Sequence, residues 1–154
     1  MSKKKKTSYF RRYKDGLWIP NLYLMYSHWY EFLEISMKEK RKVDWKYYRK
    51  WGGKKMFDVS FRTWWNKNWK ELFGMKDIGD EVKYPMRENS YKEKGVRKYL
   101  ITYKNKDKNK NDIFKILMDK GLVDKDNIRV GETVNRFKKN AEKILDNVCK
   151  GIFP

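Results

Sequence analysis

Residues 44–74, DWKYYRKWGGKKMFDVSFRTWWNKNWKELFG, hold five of the seven tryptophans: Trp45, Trp51, Trp64, Trp65 and Trp69. Each such ring can bury more apolar surface than an aliphatic side chain, so rings at this density specify a core. The same stretch carries Lys46, Arg49, Lys50, Lys54, Lys55 and Arg62. It is therefore both the centre of the fold and part of a basic surface. Local signals divide it. Asp44 is suited to cap a short helix over 45–51 that stops at Gly52-Gly53. Ser60 or Asp58 caps a second helix, which runs to Phe73 with Gly74 as its stop. Trp64, Trp65 and Trp69 are expected in the core, whereas Tyr47, Tyr48 and Trp51 are open to stacking on unpaired bases.

The flanking segments suggest a mainly α fold, with α+β as the alternative. Residues 21–37, NLYLMYSHWYEFLEISM, are apolar on most sides of a helix and should be central. Residues 1–15 read as a basic flexible arm and 16–74 as a Trp-rich helical core. Residues 75–96, balanced in charge and holding Gly79, Pro85 and Gly95, read as a linker. Residues 97–154 read as a smaller lobe packed on that core, or as part of one single domain. Within it, RKYLITY at 97–103 has strand propensity, and Asn127 to Val130 is its expected hairpin partner. Ile113, Phe114, Leu117 and Met118 mark a helix ending at Gly121. Val134, Phe137, Ala141, Ile144, Leu145 and Val148 mark the last helix, closed by Gly151. Helix, connector and helix here loosely resemble a helix-turn-helix, but a connector over 121–131 is long for that motif.

Charge narrows the class of partner. Of the +19 formal net charge, all but one unit falls in three blocks: +6 in residues 1–20, +7 in 38–55 and +5 in 96–111. A genome rich in A and T inflates lysine but does not hold acidic residues to half the basic count. Each block lies at a tail or connector, the footprint of a phosphate-backbone binder. Candidate contacts are Lys3, Lys4, Lys5, Lys6, Arg11 and Arg12; then Lys40, Arg41, Lys42, Lys46, Arg49, Lys50, Lys54 and Lys55; then Lys104, Lys106, Lys108 and Lys110. Lysine acts as a point charge and arginine can bind guanine bidentately, so backbone or shape recognition is expected, with Arg11, Arg12, Arg41 and Arg49 best suited to anything more specific. Gly52-Gly53-Lys54-Lys55 follows no strand and reads as a helix stop rather than a phosphate loop.

Little else carries chemistry. His28 and Cys149 are single, which removes hydrolase triads, disulfides and cysteine-rich zinc sites. The cysteine usage and the lack of a signal-length or membrane-length apolar run suggest a cytoplasmic protein, and the small size fits a bacterial or phage protein. Glu81-Val82-Lys83 with Asp58, Asp77 or Asp80 resembles the acidic pattern of restriction-type nucleases, an arrangement that implies carboxylates on Mg²⁺ and a lysine at the nucleophile. The match is short, and Gly79 and Pro85 leave little room for a strand. The expectation is a non-enzymatic protein without metal or cofactor that binds DNA or RNA, as an accessory subunit of a nucleoprotein complex. The alternatives are a module docking on an acidic protein surface and, behind it, a Mg²⁺ nuclease.

Overall fold

The chain is mainly α-helical around an aromatic core. The computed structural model describes residues 10–12, 18–20, 23–73 and 92–152. Strands β1 (Phe10–Arg12) and β2 (Trp18–Pro20) pair antiparallel, with Arg11 opposite Ile19. Helix α1 (Tyr23–Lys38) follows. It buries Met25, Tyr26, Trp29, Tyr30, Phe32, Leu33 and Ser36, on most of its circumference, as its all-round apolar sequence requires. Two short 3₁₀ turns, Arg49–Trp51 and Gly53–Asp58, lead into α2 (Phe61–Phe73), where Ser60 Oγ accepts the Thr63 N–H at 3.2 Å as the N-cap. Then come α3 (Glu93–Lys104), α4 (Lys110–Asp119) and α5 (Val130–Cys149).

The rings form a connected lattice. Trp29 lies 4.8 Å from Trp51 and Trp51 lies 5.4 Å from Trp64, centroid to centroid, and all three are buried. Such pairs contribute about 0.5–1.5 kcal/mol each beyond their burial. Two of the three ring nitrogens are also bonded: Trp64 Nε1 donates to the Trp51 carbonyl at 2.7 Å, and Trp29 Nε1 to the Tyr48 hydroxyl at 2.9 Å. Ala141, Ile144, Leu145 and Val148 of α5 and Val96, Leu100 and Tyr103 of α3 belong to the same cluster as the tryptophans. A smaller cluster of Ile113, Phe114, Leu117, Leu122, Val134 and Phe137 joins α4 to α5.

The strand expected over 97–103 is not formed. These residues lie within α3, which begins at Glu93, inside the stretch read as a linker. The β-branched and aromatic composition favours a strand only weakly, and packing overrides it. Val96, Leu100 and Tyr103 recur at helical spacing and bury one face, and Thr102 satisfies its hydroxyl on the Lys98 carbonyl at 2.7 Å. Nor is Asn127 to Val130 a strand: Asn127 Oδ1 accepts the Arg129 N–H at 2.8 Å in a turn, and Val130 opens α5. Residues 105–109 form the polar connection from α3 to α4, and Asn109 Oδ1 caps α4 through the Asp112 N–H at 2.8 Å.

Candidate nucleic-acid interface

The connector between α1 and α2 is oriented by its aromatic residues. Tyr48 is fully buried; its hydroxyl accepts from Trp29 and donates to the Val148 carbonyl at 2.5 Å. Burial pushes its pKa well above the tyrosine range. The Asp44 N–H donates to the Cys149 carbonyl at 2.7 Å. Two carbonyls at the end of α5, which lack partners within their own helix, are thereby capped by this connector. Gly151, at φ +73°, lets the chain turn under Tyr47; a methyl group there would lie 2.6 Å from Tyr47 Cδ2.

With Tyr48, Trp51 and Met56 directed inward, the charged positions between them face outward. Lys46, Arg49, Lys50, Lys54 and Lys55 are all exposed. Among the described residues none of the five has a carboxylate in ion-pair range, although other cations of the chain do. Lys54 Nζ sits 5.8 Å from the centroid of the half-buried Trp45 ring. Trp45, Lys46, Arg49, Gly52 and Gly53 line an open groove of ≈ 310 Å³. The Gly52 and Gly53 N–H groups donate to the Arg49 and Tyr48 carbonyls, so this turn offers side-chain charge rather than backbone donors.

Other candidates have different surroundings. Arg41 bonds Glu142 at 2.8 Å, Glu39 at 3.1 Å and the Tyr103 hydroxyl at 3.3 Å, with Asp146 at 3.4 Å. Burial alone would lower its pKa; hydrogen bonds to Glu142, Tyr103 and Glu39 outweigh that and raise it. Lys106 binds Glu39 at 3.1 Å and lies 4.2 Å from the Tyr103 ring centroid. Glu39 is held below the usual carboxylate range because donation from Tyr103, Lys106 and Arg41 exceeds the opposing effect of burial. Lys104 pairs with Glu31. Arg41, Lys104 and Lys106 therefore tie α1 to α3 and α5, and their charge is balanced in place.

Lys40, Lys42, Lys108 and Lys110 are exposed, and Lys42 shares a pocket with Lys150, which was absent from the candidates because it follows a helix instead of lying in a basic block. Arg11 and Arg12 lie in β1; Lys3, Lys4, Lys5 and Lys6 lie outside the described residues, as do Asp77, Asp80, Glu81 and Lys83. Among the described residues no group of three His, Cys, Asp or Glu side chains could hold a metal, and no helix is long and apolar enough to cross a membrane. His28 Nε2 meets Glu93 Oε1 at 3.0 Å, an α1–α3 tie. Base stacking by Tyr48 or Trp51 is ruled out by their burial; Tyr47 is half-buried beside Gly151. No family model matches this sequence, and comparison with curated proteins and with solved structures likewise finds no match.

Proposed function

We propose that the protein binds nucleic acid through its sugar-phosphate backbone, with the 46–55 connector as the principal contact. The observation that carries this is the set of five exposed cations, Lys46, Arg49, Lys50, Lys54 and Lys55, on one rigidly anchored segment without a carboxylate partner among the described residues. An unpaired cation can release a phosphate counterion on binding; one already paired has to break an internal contact first. Trp45, half-buried at the edge of the groove, adds one ring that a base can reach. The outward face of α5 suits groove reading less well, because Arg136, Lys139 and Lys143 alternate there with Glu132, Glu142 and Asp146.

Titration of single-stranded DNA, duplex DNA and RNA at two salt concentrations tests this function. Affinity should fall steeply with salt for at least one of the three. Absent or salt-independent binding to all three contradicts the proposal, and a protein partner retained from nuclease-treated lysate would redirect it to an acidic protein surface.

A further inference from the structure

A second group of unpaired cations lies away from the connector, and here the cations come from two helices. Lys94 and Lys98 stand one turn apart on α3, and Arg136 projects from α5. They meet at an open pocket of ≈ 450 Å³ whose wall includes Phe137, Thr133 and the turn after α4. Lys98 Nζ lies 5.7 Å from the centroid of the Phe137 ring and the Arg136 guanidinium carbon lies 5.6 Å from it. The ring gives both cations a surface to lie on, but it does not neutralise them.

Two nearby carboxylates are engaged elsewhere. Glu93 meets His28 at 3.0 Å and Arg97 at 3.7 Å, and Glu132 meets Arg129 at 3.7 Å. Asp124 is the one acid lining the pocket among the described residues, and it accepts the Asp126 N–H at 3.0 Å. Among the described residues Lys94, Lys98 and Arg136 have no ion-pair partner. Half-burial first, and then the charges of Lys94 and Arg136, hold the Lys98 ammonium below its ordinary pKa. Three cations against the single carboxylate of Asp124 leave the pocket with an excess of positive charge, and an anion among the cations relieves their mutual repulsion. The pocket also has a neutral donor. Asn127 Nδ2 donates to Thr133 Oγ1 at 3.0 Å, which leaves the hydroxyl proton for another acceptor.

We infer that this pocket binds a phosphate group, with Lys94, Lys98 and Arg136 on its oxygens and the Thr133 hydroxyl as an additional donor. Both a free phosphate or small phosphate ester and the 5′-terminal phosphate of a nucleic-acid strand have this chemistry. The site is separate from the connector, and its test does not depend on the connector's role.

The experiment is thermal unfolding of the full chain in sodium phosphate against sodium chloride at equal ionic strength. At tenfold above its Kd, phosphate should raise Tm by about 3–6 °C in the wild type and in a Lys54→Ala/Lys55→Ala variant. Lys98→Met should raise Tm in chloride, by removing one of three repelling charges, and should lose the phosphate increment. Arg136→Ala, at an exposed position, should lose most of that increment without affecting folding, and it keeps the test decisive if Lys98→Met does not fold. Competition with a 5′-phosphorylated and a 5′-hydroxyl oligonucleotide distinguishes the sources: displacement of bound phosphate by the first alone assigns the pocket to a strand end, and displacement by neither assigns it to a free phosphate or small ester. An equal rise in all variants, or no rise in the wild type, overturns the inference.

Discussion

The 46–55 connector and the cations around Glu39 are drawn from the same lysine-rich composition, yet the fold treats them differently. In the connector, buried Tyr48, Trp51 and Met56 point the charges outward, with no carboxylate in ion-pair range among the described residues. Around Glu39, Arg41 and Lys106 turn back onto Glu39, Glu142 and Tyr103 and join helices. One group adds to the external field and the other mainly holds the structure together. Charge counted along a sequence therefore overstates the charge available to a polyanion, and the correction depends on which acids the fold brings within reach.

The largest effect expected from this contrast is on binding. Arg49→Ala/Lys50→Ala/Lys54→Ala/Lys55→Ala should weaken nucleic-acid binding on the order of 100-fold near 0.1 M salt while leaving Tm almost unchanged, since exposed unpaired cations contribute little to folding. Binding measured by fluorescence anisotropy alongside a melting curve checks both halves. Gly151→Ala attacks the connector's anchorage: a left-handed φ and overlap with the Tyr47 ring should together cost about 2–4 kcal/mol, read by urea unfolding. Arg41→Ala should cost about 1–3 kcal/mol of stability, because it leaves Glu39 and Tyr103 short of a donor. Its effect on binding should be small, the reverse of the connector variant.

Acid sharpens the same contrast. Because the folded-state pKa of Glu39 is lowered, its contribution is fully present above the unfolded value near 4.5 and is lost as pH falls through the folded value. Stability should decline with acidification below about pH 4.5, and Glu39→Gln should flatten that part of the profile. Smallest of all, Lys104→Ala should change stability by about 0.5 kcal/mol or less, as for other exposed ion pairs.

Much of the helical framework was legible because it rests on strong local signals. The stripe from Val134 to Val148 and the Trp64–Trp65–Trp69 face combine helical spacing with burial in the core, and the exposed Ser60 is a purely local cap signal. The 97–103 segment misled because Tyr, Ile and Thr favour strands locally, whereas the face made by Val96, Leu100 and Tyr103 is helical and finds α1 and α5 to cover it. The candidate interface was legible only in part. Lysine density located the connector, but the pairing of Arg41 with Glu142 spans 101 positions and is set by tertiary packing. For the same reason Lys94, Lys98 and Arg136 went unnoticed: no single window of sequence contains all of them.

The separation of available from neutralised charge can be read from the slope of log Kd against log salt. The slope should lose about 0.9 per phosphate contact removed when Lys50, Lys54 and Lys55 are replaced by Ala on duplex DNA, and less on a single strand. It should stay close to the wild-type value when Arg41, Lys104 and Lys106 are replaced instead, although the net charge lost is the same. Equal slopes for the two triple variants would contradict the account, because then the chain would act as a diffuse cloud of positive charge in which the fold selects nothing.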